Sequence, residues 1–159
     1  MAQGQSKEKT SWYKAIQKLQ WAFTSQLQVG FIAKVVSYDA KHHTADILPL
    51  ALDSDGEESA QYLDVPVSES CYMLDEFFSR IKPEFSQVDS HLGTNLSSMF
   101  PSKNLIRPGV PVVCLVLDRD NDNWEGGSMA NTYMPNSSRL HDGNDAIVVG
   151  VLGGDAVHG

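Results

Sequence analysis

The sequence predicts a mainly β domain: five short strands in a small barrel, a helix in front, and one helical excursion within the strand series. Three observations carry this. Apolar residues recur at three- and four-residue steps from Trp12 to Leu27, and the period then changes to runs rich in valine and isoleucine. Turn signals separate those runs: the polar stretches 39–42 and 53–58, and Arg107-Pro108-Gly109. A stretch rich in Ser and Asn, 86–104, interrupts the strand series.

Taken in order, residues 1–10 are polar and are expected to fray. Trp12, Ile16, Leu19, Phe23 and Leu27 then mark one face of a helix of about five turns, with Thr10 or Ser11 as N-cap and Gly30 beyond its end. Trp21 falls off that stripe. A strand over 29–40 carries Val29, Phe31, Ala33 and Val35 on one face and Ile32, Val36 and Tyr38 on the other, so both faces need cover. A second strand spans 43–52, and a third spans 60–68, where Pro66 points to a sheet edge. These three form an antiparallel meander. Residues 71–81 suit a short amphipathic helix that Pro83 stops, followed by a long excursion through residue 104. Strands over 111–118 and 145–154 complete the set, with a second polar stretch, 119–144, between them. Five strands in a Greek-key barrel, with a helical insertion between the third and fourth, describe an OB-fold.

At 159 residues the chain suits one domain with a core of its own. Its formal net charge of −8 argues against a phosphate-binding surface, which needs Lys and Arg to displace counterions. Lys7, Lys9, Lys14 and Lys18 nevertheless cluster near the start. The two cysteines, Cys71 and Cys114, form no CxxC, and Cys114 reads as a small buried hydrophobe. No signal-peptide pattern and no apolar run of ~20 residues is present, so the expectation is a soluble chain made in a reducing cytoplasm.

The chemistry-bearing candidates are few. Asp118, Asp120 and Asp122 match the first three ligand positions of an EF-hand loop, but Asn123 and Met129 stand where its Gly and bidentate Glu belong. Solvation of a loop leaving a buried strand is the better reading. His42 and His43 are adjacent and point apart in an extended chain, while His91, His141 and His158 are isolated. No GxSxG, P-loop or GxGxxG occurs, which argues against an enzyme. A single-stranded nucleic-acid binder would need a basic groove beside its aromatics, and only Lys34 among the strand residues flanking Phe31, Tyr38 and Tyr62 is basic.

One ordered set of segments goes further. VGFIAKVVSYDAKHHTADILPL, then DVPV, then RPGVPVVCLVLDRDNDNW, then RLHDGNDAIVVGVLG, together covering residues 29–153, resembles the N-terminal barrel of the bacteriophage membrane-puncturing central-spike family. The chain departs from that pattern at Val110, where the family carries an acid, and in the length of 69–107. Family members continue into a β-helix and an iron-binding HxH tip, whereas this chain reaches Gly159 with only His158 nearby. The resemblance implies an OB-fold homotrimer on the tail axis, a non-enzymatic virion protein of the phage tail or baseplate assembled in the host cytoplasm. It implies tail-tube, hub or baseplate partners and contact with the host cell envelope, with neither nucleic acid nor cofactor expected; the tip is either missing, a separate tip protein, or not part of a hub or plug that has no piercing point. In that scheme residues 1–28 dock, 29–154 form the barrel with 69–107 inserted, and 155–159 are a short tail. Trp12, Ile16, Leu19, Trp21, Phe23 and Trp124 are the interface candidates. His158 is the candidate for an axial metal, set against a simple tail. The alternative is an OB-fold binding module for glycan or single-stranded nucleic acid.

Overall fold

The computed structural model describes the backbone of residues 2–124 and 130–153, and the side chains from residue 10 on apart from Gln26. Helix α1 (Ala2–Gln26) leads into β1 (Gly30–Asp39), β2 (Thr44–Pro49) and β3 (Tyr62–Pro66). Helix α2 (Met73–Leu92) follows, then β4 (Pro111–Val116) and β5 (Ala146–Val151). The strands form one antiparallel sheet in the order β3-β2-β1-β4-β5, curled into a half-barrel. Its two edges approach each other where Val67, just past β3, bridges Val148 of β5 in parallel, and the Ser68 amide donates to the Val148 carbonyl at 2.8 Å. Pro66 therefore sits at an edge strand, where its missing N–H does least harm.

The core follows from strand alternation. Ala33 and Val35, Ala45 and Ile47, Val65 and Val67, Val112 and Cys114, and Ala146 and Val148 all point inward and are buried. Irregularities between Val35 and Ser37 and between Val113 and Cys114 bend the strands, as bulges in small barrels do. Gly143 lies against Tyr62 and Gln28 so closely that a Cβ there would collide with the Tyr62 ring.

Two elements differ from expectation. The leading helix begins at Ala2 rather than near Thr10, because the Gln, Lys and Glu of this segment are good helix formers. The second helix runs through Pro83 to Leu92. Pro83 and Ser79 are both exposed, so the carbonyl that loses its partner faces water. The ends of α2 explain its persistence. Asp75 and Glu76 occupy the first turn, and Gly93 closes the helix in the left-handed conformation with its amide on the Asp89 carbonyl at 2.8 Å.

Much of the expected excursion is accordingly ordered. The Asp89 carboxylate accepts from the Thr94 hydroxyl at 2.6 Å and from the Leu96 and Ser97 amides at 2.7 and 2.8 Å. Phe100 then returns to pack against Phe78 and Phe85. The Asp75 carboxylate holds the Leu105 amide, which leads the chain back through buried Ile106 into β4.

Candidate functional site

The acids that follow β4 are not simply a solvated loop. Asp118 is exposed, but Asp120 is 0% exposed, as is Asp145 just before β5. Arg139 compensates both. Its Nε and Nη2 donate to the two oxygens of Asp145 at 2.8 and 2.7 Å, a bidentate pair, and Nη2 also donates to Asp122 at 2.9 Å and lies 3.4 Å from Asp120. The Ser137 hydroxyl donates to Asp120 at 2.5 Å, and the Asp122 amide donates to the same carboxylate at 2.9 Å. The Asn121 amide donates to Asp145 at 3.2 Å.

This network sets the charge states. The hydrogen bonds from Arg139 to Asp145, more than the neighbouring charges, push the guanidinium pKa further above its ordinary value. The Ser137 hydroxyl, then the Asp122 amide and the Arg139 charge, hold Asp120 below the usual carboxylate range. Carboxylate oxygens of Asp120, Asp122 and Asp145 come within 4.8 Å of one another, a spacing that suits a cation. Arg139 already supplies the positive charge among them, so the arrangement fits a structural clamp joining the 118–124 stretch to β5. Sequence reasoning missed this role for Asp120. The usable signal was Arg139 ahead of Asp145, which gives two buried acids a cation.

Beside the clamp lies an open groove of about 630 Å³, between the β1–β2 turn, β3 and the chain after β4. Half-exposed Trp124 lines it, with Leu63, Asp64, Glu69, Asp122 and Asn144. His43 stacks on Tyr72 with ring centroids 4.0 Å apart and 5° between planes, and its Nδ1 meets the Tyr38 hydroxyl at 3.2 Å. His42 turns instead to Asp39, Nδ1 to Oδ2 at 2.6 Å, so the adjacent histidines have separate partners. His43 and Asp64 both adopt positive φ, 55° and 53°. Among the described residues, three carboxylates and no Lys or Arg line the groove, an environment that repels phosphate.

The remaining candidates are spread out. His141 Nε2 lies 3.3 Å from Asp118 beside the clamp, and His91 sits in the last turn of α2. His158 falls outside the described residues. Both cysteines are buried, and burial pushes the Cys114 thiol up to about 12 and raises that of Cys71, so neither is poised to react. Trp12, Ile16, Leu19, Trp21 and Phe23 are all exposed, as is every side chain of α1 over 10–25. Over 10–25, helix α1 therefore leaves the outward face of the sheet uncovered, and Ile32, Val36, Leu115 and Val149 of that face are exposed. Among the described residues, no helix is long and apolar enough to cross a membrane.

No protein-family model matches this chain, and no curated protein matches it.

Proposed function

We propose that this chain is a structural bacteriophage tail protein, a central-spike or baseplate-hub subunit built on an OB-fold barrel and working as a homotrimer at the tail tip. The fold reading is supported by the strand order β3-β2-β1-β4-β5, by the parallel approach of the chain after β3 to β5, and by a helix between the third and fourth strands, all of which an OB-fold would have. One observation carries the functional reading. Two separate segments on which the resemblance rests, 118–124 and 139–146, meet at the Arg139 clamp, so they belong to one structural feature. A clamp of this kind, whose acids and Ser137 hydroxyl are engaged with one another and with Arg139, stiffens one end of the sheet, which suits a role in assembly and mechanical insertion. The acidic groove beside Trp124 disfavours nucleic acid as a partner.

Mass spectrometry of tails purified from a producing cell tests this directly. The chain is expected in the tail-tip fraction, and loss of its gene should leave tails that fail to deliver their contents. Infective tails assembled without the chain would contradict the proposal.

A further inference from the structure

We infer that α1 is the self-association element of this protein, with residues 12–26 of three copies packing as a parallel helical bundle on the barrel axis. The copy number rests on the trimer reading above, whereas the assignment to α1 rests on the helix itself.

Trp12, Ile16, Leu19 and Phe23 are spaced four, three and four residues apart, the d-a-d-a seam of a heptad pattern. Tyr13 falls at e, and Ala15 and Ala22 fall at g, so the apolar stripe is wider than a two-stranded seam. Ile16 at a with Leu19 at d is by itself a pairing that suits two strands. The broad flanks and the bulk of Trp12 and Phe23 outweigh it, because a third helix is needed to cover a stripe of that width. Lys14, Lys18 and Trp21 lie on the opposite side and stay in solvent when the stripe is buried.

Among the described residues, the stripe has no cover within its own chain. Trp12 is 72% exposed, Tyr13 62% and Phe23 63%. A buried aromatic removes about 150–250 Å² from water. Three such residues at these exposures offer roughly 300–500 Å² per chain, and Ile16, Leu19 and the exposed Leu27, Val29, Ile32 and Leu115 add the area needed toward the ~800 Å² that each partner gives to a standard interface. A lone helix of this length is marginal in water without such packing. The apolar surface also continues past the helix. Leu27 and Val29 are exposed, the Val29 carbonyl is tied to the barrel by the Val116 amide at 3.0 Å, and exposed Ile32 and Leu115 follow on the outer sheet face. Copies joined along α1 can therefore stay joined along the barrel.

The test uses the full chain. Light scattering after size exclusion is run on the native protein, on Ile16→Asp with Leu19→Asp, and on Lys14→Asp with Lys18→Asp. The expected result is a three-chain mass for the native and lysine-side proteins and a single-chain mass for the stripe variant, with an unchanged barrel melt. If the stripe variant melts differently, Ile16→Ser with Leu19→Ser repeats the test with a milder change. A native trimer that survives the stripe substitutions overturns this inference and leaves the trimer reading standing on the barrel alone. A native protein with a single-chain mass overturns both, and a two-chain mass overturns the three-helix bundle.

Discussion

The barrel and α1 present the same kind of apolar pattern with opposite outcomes. Ile47 of β2 is 0% exposed among its neighbours, while Ile16 of α1 is 51% exposed. Both sit where periodicity says a hydrophobic residue should be. Period two on a curled sheet finds its partners within the chain, since five strands turn their inward residues on one another. A helical stripe at period 3.5 needs another helix, and α2, the other long helix of this chain, packs mainly against the segment around Phe100. Periodicity thus reports which face seeks burial, and topology decides whether this chain or another supplies the cover.

Substitutions sharpen the contrast. Ile47→Ala should cost about 2–5 kcal/mol at any protein concentration, as expected for a truncated core residue. Ile16→Ala should leave the barrel intact and weaken only the concentration-dependent part of the stability, which denaturant titrations at two protein concentrations separate. Equal, concentration-independent losses at both positions would erase the distinction between the two regions.

The Arg139 clamp is the polar counterpart of the core. Arg139→Leu strands two buried carboxylates, so a fall in melting temperature on the order of 10 °C is expected, measured by calorimetry. An unchanged melt would mean that water reaches Asp120 and Asp145 freely. Gly143→Ala pushes a methyl group into Tyr62 and should destabilise by about 1–3 kcal/mol, read by urea titration.

The smallest effect concerns acid. Asp89 and Asp120 are held below the ordinary carboxylate value, Asp89 chiefly by hydrogen bonds from Ser97 and Thr94 and Asp120 chiefly by Ser137. A depressed folded pKa contributes stability that is complete above the unfolded value, near 4, and is lost as pH falls below it. Thermal melts should therefore be insensitive to these groups from pH 5 to 7 and decline below about pH 4. Asp89→Asn should flatten part of that decline, and a decline as steep as that of the native protein would remove Asp89 from the account.

The position of every strand was legible in the sequence, because alternation and turn residues such as Pro108-Gly109 bound each run. The length of α2 was not, since Pro83 is a helix breaker by local rules and only its exposed setting, the acids Asp75 and Glu76 in the first turn and the left-handed Gly93 at the end let the helix pass. The clamp was half legible. Asp118, Asp120 and Asp122 look alike in sequence, and only the fold shows that the middle one is inside, next to a cation drawn from 19 residues downstream. The exposed stripe of α1 was legible as a stripe, but a sequence cannot show that its own barrel leaves it uncovered.

The mass of the intact protein in solution tests the central claim most directly. At micromolar concentration, light scattering should return three times the 17.5 kDa of one chain. A stable species at 17.5 kDa, with Trp12 and Trp21 equally open to an aqueous quencher, would contradict it.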